Sequence, residues 1–387
     1  MLPGFIDCHV HAWEGIFRGA APDAGFLQYL QVAHLSCAPR MTPEDILAGQ
    51  RMTALQALNA GVTTVVDNSH NTQSVDHGLA AIEGLRSTGI RAVVAVGAPV
   101  TTAADRAAFL QRFADILTEC PPPDDMLALR VFASGPSQAL FEFAQAHGAG
   151  VCSELVLGVP VPEIGLPAAL GDFFGQGLIR PEHTFNHCIG LSQDQWSELR
   201  DVGAGANLTP RSDPHFGIGP SFPAVLEAQQ SGIEYGISSD NELCYGLDFF
   251  TEMRTLMTLQ RSAIFPRLAA SEGYRGARPF ETIDVLRAAT SGGSASAGKR
   301  GSLGILRAGL PADLIAIATD RAHLRARGDA VGIIVNFAAT ADVDAVFVDG
   351  KVRKWGDRVT SWESTWQGRS RRQRKPVTGF SRKSRQA

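Results

Sequence analysis

Short β-rich apolar runs alternate with helical stretches through most of this 387-residue chain. Eight strand-then-helix units are counted, from GFIDCHVHA near the start to IEYGISSDN, which ends at residue 241. The strand-like runs are short and rich in β-branched residues, and in the helical stretches apolar residues recur at helical spacing. This alternation is typical of a parallel sheet covered by helices, either closed into a (β/α)8 barrel or left open and doubly wound. Periodicity alone does not choose between the two.

The length of the chain limits the number of domains. A (β/α)8 barrel takes about 250 residues, so 387 residues leave room for a small accessory unit. Hydrophobic residues make up 44% and charged residues 19% of the chain, which allows a sizeable core. We predict a barrel over residues 1–300, remnant β-sandwich strands over 301–362, and a basic, disordered tail over 363–387.

Charge is unevenly distributed along the sequence. Segment 368–387 carries eight Lys or Arg residues and no acid, whereas the rest of the chain has a net charge of −12. An acidic body argues against nucleic acid as the main partner. Because the sequence shows neither an apolar run of about 18 residues nor a signal-peptide pattern, we expect no membrane partner and a cytoplasmic location. The expected partner is a small-molecule substrate, and a homo-oligomer is left open.

Polar residues at the strand ends favour the barrel. The carboxyl ends of barrel strands converge on one mouth, which is where catalytic groups lie. His9 and His11 alternate along the first strand, so their side chains point to the same side. His187 ends a later strand, and Asp240 ends the last one. Three imidazoles and a carboxylate suit one divalent metal ion, either zinc or iron.

The same residues lie in motifs of a known family. The opening Pro3-Gly4-Phe5-Ile6-Asp7-Cys8-His9-Val10-His11 resembles the PGxxDxHxH segment of the amidohydrolase superfamily. AGVTTVVD at 60–67 and HCIGLS at 187–192 are similar to strands of the branch that holds cytosine deaminase and triazine chlorohydrolases. NLTPRSD at 207–213 and SSDN at 238–241 resemble the NPRSN and GTDN segments of that branch. Near the carboxyl end, GSLGILRAGLPADL and VDAVFVDGKVR resemble strands of the family's small β-sandwich.

The resemblance implies a (β/α)8 TIM-type barrel and a metal-dependent hydrolase. It implies that His9, His11 and Asp240 bind the metal, with His187 either binding it or orienting the attacked group. Asp240 would accept a proton from water and pass it to the leaving group. His187 would stabilise negative charge on the attacked group. The implied substrate is a small cyclic or heteroaromatic compound, cleaved at a carbon–nitrogen or carbon–halogen bond.

Two departures from the family pattern stand out. The family's sandwich is assembled from strands before and after the barrel, and here we expect its amino-terminal half to be missing. At the fifth strand, the metal-binding His and the proton-transferring Glu of an HxxE motif fall on Glu154 and Leu157. Glu154 would either bind the metal through oxygen or pair with a neighbouring Arg, and Leu157 can do neither. Carboxylate ligation by Glu154 would add manganese to the candidate metals.

The change at the fifth strand leaves three function classes open. The first is the hydrolase just described. The second is a non-hydrolytic enzyme on the same fold, such as a dehydratase, decarboxylase or cyclase, and the third is a relative that has lost its metal. The intact set of His9, His11, His187 and Asp240 argues against the third class.

Polar and aromatic residues that follow the strands are candidates for contact with substrate. Each has a structural alternative, since a Trp after a strand is often part of the core and a His beside Asn and Ser often belongs to a polar turn. The predicted substrate-binding residues are Trp13, Arg18, His70, Arg211, His215 and Asn241.

Overall fold

The computed structural model describes residues 1–99, 106–120, 122–157, 169–219, 223–270, 278–325 and 328–360. The predicted basic tail, residues 363–387, lies outside these ranges. The strands of the described part are β1 Leu2–Pro3, β2 Phe5–Val10, β3 Val62–Ser69, β4 Arg91–Gly97, β5 Leu127–Ala133, β6 Gly150–Val156, β7 Thr184–Ile189, β8 Gly205–Leu208, β9 Gly236–Ile237, β10 Leu314–Ile317, β11 Val343–Val348, β12 Lys351–Trp355 and β13 Arg358–Val359.

Helices follow most strands of the first part of the chain. The α-helices are α1 Phe26–Tyr29, α2 Pro43–Asn59, α3 Val75–Arg86, α4 Arg106–Glu119, α5 Gln138–Ala146, α6 Leu170–Gly175, α7 Gln193–Val202, α8 Ser212–Phe216, α9 Val225–Ser231, α10 Phe249–Ala269, α11 Thr282–Ala289 and α12 Ala330–Phe337. Segment Leu30–Cys37 continues α1 as a π-helix. Within the described ranges, no helix is both long and apolar enough to cross a membrane.

Eight parallel strands, β2 to β9 in chain order, form a barrel. The ring closes through a parallel bridge between Val10 and Asp240. Its two backbone hydrogen bonds run from Asp240 N to His9 O, at 2.9 Å, and from His11 N to Asp240 O, at 2.8 Å. The prediction of a (β/α)8 barrel is confirmed, and the open doubly wound sheet is excluded.

Local sequence explains how the elements begin and where they pack. Strands β2, β3 and β4 are buried along their whole length, as expected for parallel strands covered on both faces. Helix α2 begins at a capping box in which Thr42 and Asp45 satisfy each other's backbone N–H groups. Gly49 lets this helix approach the chain after β2 so closely that a Cβ there would lie 2.2 Å from Trp13 O.

A second, antiparallel sheet packs beside the barrel, with strand order β1-β10-β11-β12-β13. Four of its strands come from the carboxyl-terminal segment, and the two-residue strand β1 adds an edge through Leu2 and Pro3. The amino-terminal segment of this chain thus contributes β1 to the sheet, which corrects the expectation that it contributes no strand. A buried ion pair joins the two sheets, because Arg91 of β4 donates to Asp313 at 2.7 and 3.1 Å.

Candidate metal centre

The five predicted metal ligands converge at the carboxyl-terminal mouth of the barrel. His9 lies in β2 and His11 directly follows that strand, whereas Glu154 lies in β6, His187 lies in β7, and Asp240 follows β9 by three residues. All five are buried, with exposed fractions between 0% and 8%. The residues are His9, His11, Glu154, His187 and Asp240.

Pairs of their possible ligand atoms lie close together. His9 Nε2 is 2.9 Å from Asp240 Oδ1, and His11 Nε2 is 3.5 Å from the same oxygen. Glu154 Oε1 lies 3.8 Å from His11 Nε2. Two groups of three, one with His9, His11 and Asp240 and the other with His9, Glu154 and His187, each keep their ligand atoms within 4.8 Å of one another. Both groups contain His9.

Hydrogen bonds at Nδ1 orient two of the imidazoles. His11 Nδ1 lies 2.9 Å from the backbone oxygen of Asn68, which can only accept, so Nδ1 donates and Nε2 keeps its lone pair. His187 Nδ1 lies 2.8 Å from Asp213 Oδ1 and 2.9 Å from Thr209 Oγ1. A carboxylate that holds Nδ1–H is the usual support for a metal-binding histidine.

Charge at the site follows from burial and from these contacts. Burial would raise the pKa of Asp240, but His9, His11 and His187 outweigh burial and hold it well below its usual range. Burial lowers the pKa of His187, yet Asp213 outweighs it and raises that pKa to about 9. Burial raises the pKa of Glu154 from 4.5 to about 7, with His187 acting in the opposite direction. Asp240 is therefore the carboxylate that stays ionised without a metal.

The backbone at the site is unusual. Asp240 has φ +68° and His187 has φ +61°, although neither is glycine. L-residues seldom adopt this left-handed conformation, and such residues cluster at functional sites. Asp240 is held there by the two hydrogen bonds that close the barrel, and its side chain accepts a hydrogen bond from Ser212 Oγ.

A narrow cavity of about 30 Å³ lies beside these side chains, with room for one or two water molecules. The polar part of its lining includes four of the five predicted ligands as well as His34 and His70, and most of the remaining lining is apolar. The described lining residues are His11, Phe26, Tyr29, Leu30, His34, His70, Ser134, Glu154, Val156, His187, Phe216, Ile218 and Asp240.

Of the six predicted substrate-binding residues, His70 lines the cavity. Its ring stacks on that of His11 at 3.9 Å with an interplanar angle of 6°. Trp13 lies behind it, and its Nε1 donates to His70 Nδ1 at 3.1 Å. Asn241 is buried, and its Oδ1 accepts a hydrogen bond from the backbone N of Cys244.

The other three lie outside the cavity lining and have partners of their own. Arg18 donates to both carboxylate oxygens of Glu242. The guanidinium of Arg211 pairs with Glu252 and lies over the ring of Tyr245 at 4.2 Å. His215 is exposed, and its ring lies edge-on to that of Tyr245. Their roles toward substrate stay predictions, although the ion pairs of Arg18 and Arg211 indicate a structural role.

The fifth barrel strand, β6, brings Glu154 into the site and leaves Leu157 outside it. Leu157 has 55% of its surface exposed, its N donates to Ile189 O at 3.0 Å, and it is absent from the described cavity lining. Glu154 forms no ion pair with Arg or Lys in the described part of the chain. Of the two alternatives for Glu154, pairing with an Arg of the barrel wall is thus not observed.

Several polar groups of the site were not singled out from the sequence. Asp213 and Thr209 lie within the NLTPRSD segment, but nothing in a single sequence says that they support His187. His34 lines the cavity from the π-helix, and its Nδ1 is buried without a hydrogen-bond partner among the described residues. Asn68 belongs to β3 and contacts both His9 and His11.

A barrel with histidine and aspartate side chains gathered at one mouth defines a class of metal-centred (β/α)8 enzymes, and solved structures share this fold. A triazine hydrolase variant superposes with a TM-score of 0.77 at 18% identity, covering 93% of this chain and 84% of that one. An adenosine deaminase from Xanthomonas campestris with bound zinc gives 0.73 at 20% identity, with 92% and 81% covered.

Sequence comparison places the chain in a family. A model of the amidohydrolase family matches residues 1–122 and 175–353, so this chain belongs to the amidohydrolase family. It is 27% identical over 368 residues to a 5-methylthioadenosine/S-adenosylhomocysteine deaminase of Pelotomaculum thermopropionicum, covering 91% of this chain and 79% of the relative. A 5'-deoxyadenosine deaminase of Methanosarcina mazei is 23% identical, with 93% and 82% covered. The predicted membership and the prediction of a metal-dependent hydrolase are confirmed.

The family match is interrupted over residues 123–174. This interval contains β5 and β6, and therefore Glu154 and Leu157. The departure predicted at the fifth barrel strand falls in the segment that the family model leaves unmatched.

Proposed function

We propose that this chain hydrolyses a carbon–nitrogen bond, or a carbon–halogen bond, of a small heteroaromatic compound with the help of one divalent metal ion. The observation that carries the proposal is the convergence of His9, His11, Glu154, His187 and Asp240 at the mouth of an amidohydrolase barrel. The named relatives act on adenosine derivatives, so we infer a purine or a similar ring as the substrate class.

The residues fit a divalent ion. His9 Nε2 is fully buried and lacks a hydrogen bond among the described residues, although it lies 2.9 Å from Asp240 Oδ1. A nitrogen and a carboxylate oxygen that approach each other without hydrogen-bond geometry are arranged as two ligands of one ion would be. Imidazole and carboxylate donors suit zinc and iron, and the oxygen of Glu154 makes manganese a third candidate.

Asp213 would hold His187 by its Nδ1, and Asn68 O would hold His11 by its Nδ1, so Nε2 of each ring would be left to bind an ion. An ion bound there would supply Lewis acidity, which would lower the pKa of a bound water to about 7 and polarise the substrate. Asp240, which stays ionised, would accept the proton of the attacking water and deliver it to the leaving group. His187 would stabilise negative charge on the attacked ring.

Asp240 would carry protons without the second acid of the HxxE motif, because Leu157 stands at that position and its side chain cannot ionise. Loss of one positioned acid or base typically lowers the rate by about two to four orders of magnitude. We therefore expect faster turnover of substrates whose leaving group needs little protonation, such as halides, than of unactivated amines. The cytoplasmic location and a homo-oligomeric state remain predictions.

The proposal is tested by metal analysis and by a substrate screen on the same preparation. We expect about one divalent transition metal per chain. The screen compares adenosine, 5-methylthioadenosine and S-adenosylhomocysteine with their 6-chloro counterparts and with chlorotriazines, following ammonia or chloride release. Full activity after exhaustive chelation would contradict the proposal.

Asp240→Asn tests the role of the carboxylate. The amide cannot accept a proton, so hydrolysis should be lost while the far-ultraviolet circular dichroism stays unchanged. Asp201→Asn is the matched control, because Asp201 is exposed at the end of α7, and it should keep full activity. Turnover of Asp240→Asn at the wild-type rate would show that the base lies elsewhere.

A further inference from the structure

The cavity lining contains two histidines that the proposed reaction does not use, His34 and His70. His70 follows β3, and its ring lies face to face with His11 and edge-on to His34, at 4.5 Å and 88°. Phe132 packs against it at 5.5 Å. These contacts on three sides fix the plane of the His70 ring.

Trp13 fixes which nitrogen of His70 carries the proton. The indole N–H is a donor and cannot accept, so His70 Nδ1, 3.1 Å from Trp13 Nε1, must be the acceptor. A neutral imidazole with a bare Nδ1 carries its hydrogen on Nε2. Nε2 forms no hydrogen bond to any residue in the described ranges, and His70 lines the cavity.

We propose that Trp13 and His70 together determine substrate specificity. Trp13 holds His70 as an Nε2–H donor, and this donor recognises a hydrogen-bond acceptor of the bound ring. The inference rests on the proposed function, because the ring is the substrate of that reaction. His70 touches the substrate, and Trp13 is a positioning residue. The role is one of hydrogen bonding and requires no proton transfer.

The rest of the lining narrows the class of ligand. No Lys or Arg is among the cavity-lining residues that the structure describes, so a phosphate or carboxylate group would find no ammonium or guanidinium group there. Phe26, Tyr29, Leu30, Phe216 and Ile218 supply an apolar surface suited to a flat ring. An uncharged heteroaromatic ring with an unprotonated ring nitrogen meets both conditions.

The first experiment reads the tautomer of His70 directly. Long-range proton–nitrogen NMR of the full chain with isotopically labelled histidine distinguishes a bare nitrogen from a protonated one, and the signal lost in His70→Phe identifies His70. We expect bare Nδ1 and protonated Nε2 in the native protein, and a mixture of the two tautomers in Trp13→Phe. The control is Trp196→Phe, because Trp196 is fully buried and its Nε1 has no partner among the described residues.

The second experiment measures recognition without turnover. The probes are inosine, 3-deazainosine and 7-deazainosine, each titrated calorimetrically into the protein as purified. We expect one deaza analogue to bind about tenfold more weakly than inosine, which is the usual cost of one lost hydrogen bond. In His70→Phe this difference should vanish, in Trp13→Phe it should shrink, and His70→Gln, which keeps an N–H donor, should restore part of it.

The two readouts separate recognition from packing and from catalysis. A protonated Nδ1 in the native protein, or a His70 spectrum unchanged by Trp13→Phe, would overturn the assignment of the tautomer. Equal binding of the three probes, or binding of none, would overturn the recognition of a ring acceptor. Discrimination among the probes without hydrolysis of any screened compound would overturn the proposed function and leave this inference standing.

Discussion

Glu154→Gln separates two roles for the carboxylate that replaces the histidine of the fifth barrel strand. If Glu154 binds the ion, the variant loses one negative charge beside it. At about 4 Å and an effective dielectric constant near 20, a pair of unit charges interacts by about 4 kcal/mol, or roughly a thousandfold in affinity. The amide oxygen remains a donor and the other ligands remain in place, so we expect a loss of about 10- to 100-fold in metal affinity.

The stability of the metal-free protein should change in the opposite direction. The pKa of Glu154 rises from 4.5 to about 7 on folding, so its neutral form is favoured in the native state. The contribution of this group is fully present below about pH 4.5 and is lost as the pH rises through about 7, at a cost of up to roughly 3 kcal/mol. The glutamine side chain of the variant cannot ionise. The metal-free variant should therefore be more stable than the wild type at about pH 8 and similar to it at about pH 4.5.

Two measurements on one preparation test this reasoning. Metal affinity is obtained by competition with a chelator at about pH 7.5, and stability by urea unfolding of the chelated protein between about pH 4.5 and 8. Glu142→Gln is the control, because Glu142 is exposed on α5, and it should change neither quantity. Unchanged metal affinity with a lowered unfolding free energy would refute the ligand role and show that Glu154 is a structural group.

Three further perturbations follow from contacts described above. Asp213→Asn removes the carboxylate at His187 Nδ1 and should lower metal affinity or kcat/KM by about 10- to 100-fold in an intact fold. Chelator competition and steady-state kinetics measure these two quantities. Unchanged values would show that Thr209 alone orients the ring. Asp313→Asn leaves Arg91 buried without its charged partner and should lower the free energy of urea unfolding by about 3–5 kcal/mol. The control is Asp320→Asn, because Asp320 is exposed, and it should leave this free energy unchanged. Equal effects of the two substitutions would contradict the importance of the Arg91–Asp313 pair. Gly49→Ala places a Cβ 2.2 Å from Trp13 O and should lower the free energy of unfolding by about 1–3 kcal/mol. The control is Gly171→Ala, whose Cβ meets nothing within 4 Å and which should not destabilise the protein. An unchanged free energy of unfolding in Gly49→Ala would show that α2 can shift.

The barrel could be predicted because its strands and helices have regular patterns of apolar residues in the sequence. Each buried strand is an apolar run, and each helix repeats its apolar residues at a helical period. The edge strand Leu2–Pro3 could not be predicted, because two residues carry no period. It was therefore unexpected that the small sheet keeps an amino-terminal strand.

The predicted ligands of the candidate site could be found because they lie at or near the ends of strands. The contacts that hold other side chains in place could not be predicted, because they join residues far apart in the sequence. His9 and His11 can be recognised by their alternation on one strand. The pairing of Arg18 with Glu242 spans 224 positions, so the sequence alone favoured a substrate role for Arg18 over an ion pair. The contact between Trp13 and His70 spans 57 positions, and it also depends on ring orientations that only the folded chain fixes.

The residue that would bind the ion also closes the barrel. The seam between the first and last barrel strands consists of the backbone groups of His9, His11 and Asp240, brought together from positions more than 200 residues apart. Contacts between residues so distant in sequence form late in folding. The hydrogen bonds of these amides are among those that break when the barrel opens locally. A bound ion would therefore stabilise the hydrogen bonds between the first and last barrel strands. Exchange of the amide hydrogens of His11 and Asp240 with solvent should slow when the ion binds, so that two backbone positions report ring closure and metal occupancy together.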